Sequence, residues 1–392
     1  MSDAPRLKAR PDAGLAVTVV RGEALAGLRA DWERLYDEAL EPNPFYGPDF
    51  LLPLLRHVGP AESLEALCVW GEDAGGRSLR GLAPISAPGR AASLFGPRRG
   101  WSNDYIVNTM PLVASGEAGA VWAAILDQLG RARGLLVLDD LVMDGAATVA
   151  LLGALAARGG RFAWLDAHER AGIDPHAAGR APLSGRRLKD LRRDLRRLGP
   201  DATLRRAEGE EGQERALAAF LAQEAMGWKG EAGTALACRP ASLAFAREAL
   251  GPAARRPAVR IDELVAGGVG VASAVTLGGD AYAAAFKSAY DPAHARASPG
   301  ALLDWLTLED ALATGWTRRI DSVALPGHSI EGLWRDRVPV GSLALSPGGA
   351  SAGEFDLLVG IERLRRRGRE AAKAAYHGLK GWLAAQAGGR GA

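Results

Sequence analysis

Residues 280–303 read DAYAAAFKSAYDPAHARASPGALL. Its first part predicts a β-strand over 281–290, and its polar middle, which contains Arg296, predicts a loop. Ser298 is suited to cap a helix and Pro299 to its first helical position, so we expect a helix to begin here. Because a helix N-terminus has free N–H groups and the positive end of the helix dipole, it attracts phosphate. The stretch therefore predicts an anion site between a strand and a helix.

The elements around this stretch follow a similar order in both halves of the chain. Helices and strands alternate over 15–166 and again over 184–347, and a polar connector with Pro and Gly, 167–183, separates them. We predict an α/β fold (α+β, mixed sheet) of two tandem units, followed by a basic helix over 354–386. The alternative is a single irregular α/β domain. The predicted strands include 104–113, 161–166 and 319–325.

Composition favours an ordinary globular protein. The chain has 392 residues, 48% hydrophobic content and a net charge of +2, which gives no reason to expect a DNA partner. Cys68 and Cys238 are far apart in apolar surroundings, so we interpret both as core residues in a reducing compartment. The segment Met1–Gly14 lacks the apolar region of a secretory signal, and no run of about 20 apolar residues occurs. We therefore predict a cytoplasmic protein.

Several catalytic motifs are missing from the sequence. No His, Cys, Asp and Glu cluster has the spacing of zinc ligands, so no metal is predicted. Neither a Gly-x-Ser-x-Gly elbow nor a P-loop is found. The glycine-rich segment 267–270 leads into a strand rather than a helix, which predicts a hairpin turn there.

The segment Arg296–Ala301 resembles the pyrophosphate loop of the GNAT acyltransferase superfamily, Gln/Arg-x-x-Gly-x-Gly/Ala. The Arg and the final Ala match, whereas Pro299 stands where the first Gly is expected. Further blocks are similar to CelD/BcsL-type acyltransferases, a FemAB-like, tandem-GNAT group linked to cellulose and exopolysaccharide production. These blocks are Ser184–Leu198, Gly227–Gly230, Gly233–Leu236, Phe286–Lys287, Tyr290–Asp291, Ser298–Gly300, Asp321–Ser322, Pro326–His328 and Leu333–Trp334, with Ser102–Tyr105 and Pro111–Val113 as weaker matches in the first half.

The resemblance implies acyl transfer from acyl-CoA, acetyl-CoA included, to an amine or hydroxyl acceptor. The donor's pantetheine arm would follow the strand 281–290. The second unit alone has this loop, so the first would shape the acceptor cleft. The residues implied in donor binding are Arg296, Ser298, Gly300, Ala301 and Tyr290, and those implied near the acceptor are Trp228, Lys229, Asn103, Asp104 and Tyr105.

Such a reaction needs a base for the acceptor's proton and donors for the carbonyl oxygen. His328 is the candidate base, Asp321 would orient it or bind the acceptor, and Lys287 would contact donor or acceptor. Many superfamily members have a catalytic Tyr in this region, but this sequence has none between 320 and 345. Structural alternatives remain open: His328 as a helix cap, Asp321 as a turn former, Lys287 as a solvent-facing lysine and Trp228 as a core residue.

The segment 184–198 predicts a strongly basic amphipathic helix. Four leucines form one stripe, and seven Arg and Lys residues cover the remainder. A solvated face is the simplest interpretation, and the alternative is contact with the donor, an acidic polymer, a membrane surface or tRNA. Two other functions therefore stay open: a Fem-like aminoacyl-tRNA-dependent transferase, and a non-catalytic tandem-GNAT protein that binds partners.

Overall fold

The computed structural model describes residues 8–9, 14–59, 61–73, 76–87, 97–130, 135–180, 182–348 and 350–388. Most of the segment Met1–Gly14, from which a cytoplasmic location was predicted, lies outside these residues. The strands are β1 (Lys8–Ala9), β2 (Ala16–Arg21), β3 (Leu64–Asp73), β4 (Gly76–Ser86), β5 (Arg98–Arg99), β6 (Leu112–Val113), β7 (Leu136–Val142), β8 (Arg161–Ile173), β9 (Thr203–Arg206), β10 (Val259–Ala266), β11 (Val269–Gly278), β12 (Ala283–Tyr290), β13 (Ile320–Asp321) and β14 (Asp336–Ser346).

The helices include two basic helices that the sequence predicted, one at the start of the second half and one near the C-terminal end of the chain. The helices are α1 (Arg29–Glu38), α2 (Pro48–His57), α3 (Ala118–Gly130), α4 (Ala146–Ala156), α5 (Gly185–Leu198), α6 (Gly209–Met226), α7 (Trp228–Glu231), α8 (Pro240–Ala249), α9 (Pro299–Thr314) and α10 (Ala352–Gly388). The basic helix predicted over 354–386 is thus confirmed as α10. No helix among the described residues combines the length and apolar content that a membrane crossing requires.

The strands form two sheets, and the α/β class with mixed pairing is confirmed. The smaller sheet has the order β1-β2-β3-β4-β6, and the larger has the order β5-β7-β14-β8-β13-β12-β11-β10-β9. Most neighbours are antiparallel, but β12 pairs with β13, and β5 with β7, in parallel. Because β5, β7 and β8 share the larger sheet with the later strands, the predicted unit boundary falls inside one continuous sheet.

Three predicted strands differ from those observed. Strand β8 continues to Ile173, seven residues into the predicted connector, because β14 pairs with it from Ser346 to Asp336. Strand β13 has two residues rather than seven. The segment 104–111 is not a strand, because its own side chains bond to its backbone: Asn103 Oδ1 accepts from the N–H of Tyr105, and Asn108 Oδ1 from that of Met110.

Local sequence explains other elements directly. The β10–β11 hairpin turns at Gly267 and Gly268, whose φ values of 58° and 76° suit glycine. Helix α5 begins at Ser184, whose Oγ accepts from the N–H of Arg187 at 3.2 Å. Its leucine stripe packs beside α9, with Leu191 buried. The predicted hairpin and basic helix are therefore confirmed.

An aromatic cluster joins the two halves of the chain. Phe50 of α2 packs edge-on against Phe245 of α8 and Phe286 of β12, with ring centroids 5.2 and 5.5 Å away. Asp49 beside it accepts from the N–H groups of Arg255 and Arg256. Cys68 is buried as predicted, but Cys238 is exposed because it ends a short surface 3-10 segment, so its core assignment is wrong.

Candidate functional site

An inner cavity of about 330 Å³ opens where the parallel strands β12 and β13 separate. The two strands pair only at Ala283 with Ile320 and at Ala284 with Asp321. Beyond these pairs β12 continues to Tyr290, whereas the chain leaves β13 and turns away. The gap between the diverging strands is walled by the second half of β12 on one side and by 322–324 on the other.

A bulge in β12 supplies part of the inner cavity's wall. Val275 pairs with Lys287 and Thr276 with Ala285, so Phe286 is an extra residue in β12. A bulge breaks the alternation of side chains between the faces of a sheet. Consecutive residues of β12, Ala285 to Ser288, therefore all line the cavity.

An outer cleft of about 640 Å³ lies at the start of α9. Ser298, Gly300 and Ala301 line it, together with Tyr290 and Trp228. The first N–H groups of a helix have no partner within the helix. The cleft thus combines backbone donors with aromatic side chains. Trp228 is 67% exposed there, so the structural alternative of a core residue is wrong, and its predicted contact with the acceptor stays a prediction.

Ser298 does not cap α9 with its side chain, contrary to the sequence prediction. Its backbone is left-handed, with φ 52° and ψ 52°, and its hydroxyl makes no capping hydrogen bond. The cause is the 3-10 turn Pro292–Ala297, which Asp291 caps and which leads directly into this conformation. Positive φ in a residue other than glycine is uncommon and concentrates at functional sites.

Arg296 lies on the same 3-10 turn but is exposed, and it lines neither cavity. No ion pair of Arg296 occurs among the described residues. Its predicted contact with the donor's phosphates therefore requires the side chain to reach in from the surface.

Four residues line both the outer cleft and the inner cavity, so the two spaces meet there. They are Lys229, Ser288, Asp304 and His328. A ligand that extends from the start of α9 along β12 would pass these side chains before it enters the inner cavity. Two of the four, Lys229 and His328, are residues that the sequence predicted, whereas Ser288 and Asp304 were missed.

His328 caps the following 3-10 turn, Ser329–Gly332, as the structural alternative expected. Its Nδ1 accepts from the N–H of Ile330 at 3.2 Å. In the neutral imidazole the proton then resides on Nε2, which makes Nε2 a donor. This geometry favours a role for His328 as a hydrogen-bond donor rather than as the base.

Asp321 is fully buried and has partners other than His328. Its Oδ2 accepts from the Tyr282 hydroxyl at 3.0 Å and faces the guanidinium of Arg170 at 3.4 Å, and its Oδ1 accepts from the N–H of Val323 at 2.7 Å. Among the described residues Asp321 and His328 share no hydrogen bond, so the prediction that Asp321 orients His328 is wrong. The turn-forming alternative agrees with the contact to Val323.

Val323 marks a strained turn in the inner wall. It has a φ of 56°, which is a genuine outlier for a β-branched side chain. The bond from its N–H to the buried Asp321 holds the turn. The role of Asp321 near the cavity is thus to fix the path of the chain that leaves β13.

A buried carboxylate, Glu224 of α6, pairs with both lysines of the site. Its Oε1 lies 3.1 Å from Lys287 Nζ and 3.6 Å from Lys229 Nζ, and its Oε2 accepts from the N–H of Leu236 at 2.8 Å. Lys287 is therefore held inside the site rather than directed to solvent. Burial lowers the pKa of Lys229, and the adjacent Lys287 ammonium acts in the same direction against the pull of Glu224.

Asp304, the sixth residue of α9, has no partner for its carboxylate among the described residues. It faces both cavities, yet the surrounding protein is dense enough that burial raises its pKa to about 7. No neighbouring charge opposes this shift. An unpaired carboxylate of this kind in a cleft is a typical feature of catalytic acids and bases.

The first half of the chain reaches the inner cavity through the loop after β5. Asp104 and Tyr105 line the cavity, and the ring of Tyr105 lies 5.1 Å from that of Phe245. Asn103 does not line it but forms the turn that presents Tyr105. The structure thus brings two of these three predicted residues to the site, while Asn103 supports them.

Glu224 and Asp304 each had a signal in the sequence. Glu224 continues the apolar stripe Leu217, Phe220 and Leu221 of α6, and Asp304 shares a face of α9 with the buried Leu308 and Ala311. A carboxylate at such a position is either paired or functional. Among the described residues Glu224 has ion-pair partners, whereas Asp304 has none.

The comparisons with known proteins support one family over part of the chain. Residues 185–328 match the family model of the acetyltransferase (GNAT) domain. The match lies in the second half of the chain and runs from α5 to His328. No relative was found among curated proteins.

Solved structures resemble this chain at low sequence identity. They include the C-terminal DUF2156 domain of a lysylphosphatidylglycerol synthetase candidate from Agrobacterium fabrum (14% identity, 84% of this chain and 94% of that one, TM-score 0.49). FemX has 9% identity over 81% of this chain and 95% of its own, with a TM-score of 0.48. A tandem GNAT protein from the clavulanic acid biosynthesis pathway has 16% identity over 86% and 100%, with a TM-score of 0.37.

Proposed function

We propose that the protein transfers an acyl group, such as acetyl, from acyl-CoA to an amine or hydroxyl acceptor. The observation that carries this proposal is the open start of α9 in an outer cleft that continues into an inner cavity. The match to a GNAT domain over 185–328 supports it, because that segment contains the start of α9, the strand β12 and His328.

The donor's phosphates would bind the N–H groups of Gly300 and Ala301 at the start of α9. Tyr290 and Trp228 would contact the rest of the nucleotide, and the pantetheine arm would follow β12 past Ser288. The thioester would then meet the acceptor in the inner cavity, near Asp104, Tyr105 and Lys287. Closely placed donors for the carbonyl oxygen are typically worth about 3–4 kcal/mol each in such reactions.

The test measures the affinity of the protein for acetyl-CoA and for desulfo-CoA by isothermal titration calorimetry. Gly300→Asp would place a negative charge where the phosphates bind, so we expect affinity to fall by a factor of about 100 or more. The fold should tolerate this change, because a Cβ at Gly300 meets only Tyr290 Cδ1 at 3.8 Å and an acidic residue suits the first turn of a helix.

Gly185→Asp is the matched control. It adds the same charge to the start of α5, which lines neither cavity, and its Cβ has open space. We expect it to bind acetyl-CoA as the wild type does. Equal affinity of wild type and Gly300→Asp would contradict the proposed donor site.

A Fem-like aminoacyl-tRNA donor is the second candidate, and helix α5 is the observation that favours it. Five of its cations have no ion pair among the described residues, and the helix packs beside the turn that precedes α9. These cations are Arg186, Arg187, Lys189, Arg192 and Arg196. Salt-sensitive binding of tRNA together with no binding of acyl-CoA would favour this candidate.

Finer assignments rest on the motifs alone. The resemblance to CelD/BcsL-type enzymes, and a place in polysaccharide or cell-envelope biosynthesis, follow from blocks such as Gly227–Gly230 and Pro326–His328 and stay predictions. A non-catalytic protein that binds partners is expected to bind neither acyl-CoA nor tRNA in these titrations.

A further inference from the structure

Among the described residues, Asp304 is the only carboxylate that lines both the outer cleft and the inner cavity. Its backbone is fixed, because it lies within α9 between the buried side chains of Leu303 and Trp305. Its carbonyl accepts from Trp334 Nε1 at 2.9 Å, which ties this turn of α9 to the loop after His328. The carboxylate is therefore held in place while its oxygen atoms stay available to a ligand.

The other charged and titratable side chains that line the inner cavity suit the role of base less well than Asp304. Tyr105 is one of them, and burial raises its pKa, which keeps its hydroxyl protonated. Lys287 and Lys229 turn toward Glu224, and His328 has its Nδ1 occupied by the N–H of Ile330. Asp104 is exposed and belongs to the loop after β5, in the first half of the chain. The carboxylate of the buried Asp321 contacts Tyr282, Arg170 and Val323 and does not line the inner cavity.

We propose that Asp304 is the general base of the acyl transfer and takes the proton of the acceptor's amine or hydroxyl group. The inference rests on the proposed function, because it assigns a role within that reaction. Burial raises the pKa of Asp304 to about 7, so its carboxylate is a stronger base than an exposed one and is still partly ionised near neutral pH.

The step balances without another reactant. The neutral acceptor's N or O attacks the thioester carbonyl carbon, a C–N or C–O bond forms, and its proton passes to an Asp304 oxygen. The carbonyl oxygen carries the negative charge, and His328 Nε2–H can donate to it. The C–S bond then breaks, the departing thiolate takes a proton from protonated Asp304, and the products are the amide or ester and free CoA.

The test compares the wild type with Asp304→Asn in acetyl-CoA binding and in release of free CoA thiol. Ethanolamine, which has both an amine and a hydroxyl, and water alone serve as acceptor probes. We expect Asp304→Asn to keep the acetyl-CoA affinity within about twofold and to lose thiol release by a factor of about 100 or more. The wild-type rate should fall below about pH 7, and the variant should lack this pH dependence.

Glu309→Gln is the matched control. Glu309 lies on the same helix, lines neither cavity and accepts from Trp305 Nε1, a bond that glutamine can also make. We expect its rate and pH profile to equal those of the wild type within about twofold. Thiol release by Asp304→Asn at the wild-type rate and with the wild-type pH profile would overturn the assignment.

A second measurement needs no turnover. The unfolded chain loses the Asp304 proton near the ordinary value of 3.8, whereas the folded protein keeps it to about pH 7. Stability of the wild type relative to Asp304→Asn should therefore decline from about pH 4 to about pH 7 and stay constant above. If neither acceptor probe reacts, the stability measurement decides. A stability difference between the wild type and Asp304→Asn that does not depend on pH overturns the inference. If the wild type does not bind acetyl-CoA, the proposed function itself fails, and the inference with it.

Discussion

The outer cleft and the inner cavity share four residues but are built from different parts of the chain. The outer cleft takes its walls from the second half alone: the start of α9, the end of β12, and α6 with α7. The inner cavity needs a bulge in β12, the separation of β12 from β13, and Asp104 and Tyr105 from the first half. The proposed donor site therefore belongs to the second half, whereas the proposed space for the acceptor forms only when both halves are folded together.

This difference has a consequence for mutations. Most of the outer cleft is lined by backbone groups and by exposed side chains such as Trp228, so changes to these groups should alter binding and leave stability unchanged. The buried Glu224, which also reaches the outer cleft, holds Lys287 in the wall of the inner cavity, so changes to such buried charges should destabilise the fold as well. The following predictions test this contrast.

We expect the largest effect from Glu224→Gln. The change removes the charge that both Lys229 and Lys287 face, and it leaves two partly buried ammonium groups without a counterion. Breaking such a pair costs about 3 kcal/mol of unfolding free energy. Urea denaturation monitored by circular dichroism measures it.

Glu231→Gln provides the comparison for Glu224→Gln. Glu231 is exposed, lies in the neighbouring helix α7 and lines the outer cleft. Its replacement should change the unfolding free energy by less than about 0.5 kcal/mol. Equal effects of the two changes would mean that Glu224 is not the buried counterion of these lysines.

Tyr282→Phe should have an intermediate effect. The buried Tyr282 hydroxyl donates to Asp321, so its loss leaves a buried carboxylate oxygen with fewer partners. We expect a loss of about 1–3 kcal/mol in unfolding free energy, while Tyr290→Phe at the outer cleft should lose less than about 0.5 kcal/mol. If Tyr282→Phe were as stable as the wild type, Asp321 would not depend on this bond.

Arg296→Glu should have the smallest effect. Arg296 is exposed outside the walls of the cleft, so it acts on the donor's phosphates over a screened distance. We expect acetyl-CoA affinity to fall about threefold at low salt, with the difference lost near about 0.5 M salt. A loss of affinity as large as that of Gly300→Asp would show that Arg296 enters the cleft when the donor binds.

The sequence predicted the order of elements well where local rules apply. The hairpin at Gly267 and Gly268 and the helix that begins at Pro299 both follow from single residues with fixed conformational preferences. Ser298 failed as a side-chain cap because the preceding 3-10 turn sets its backbone. The segment 104–111 failed as a strand because two asparagines form side-chain turns with their neighbours.

The site was predicted less completely, and the reason is again physical. Lys287, Trp228 and His328 were found as residue types at suggestive positions, but the carboxylate that holds Lys287 lies on another element. Glu224 is 63 residues from Lys287, and the Arg170 that faces Asp321 is 151 residues from it. A local pattern cannot show which buried carboxylate has a cation and which has none.

The contrast between Asp321 and Asp304 shows where this limit lies. By itself the sequence determined the strand–loop–helix order of 280–303 and an open helix N-terminus, because backbone conformation near Gly and Pro is set locally. Only the tertiary structure decided that Asp321 is enclosed by Tyr282 and Arg170, while the carboxylate of Asp304, at the junction of the two spaces, has no partner among the described residues. The ionisation of a carboxylate depends on the solvent and charges within a few ångströms of it, and folding brings those groups from distant parts of the chain.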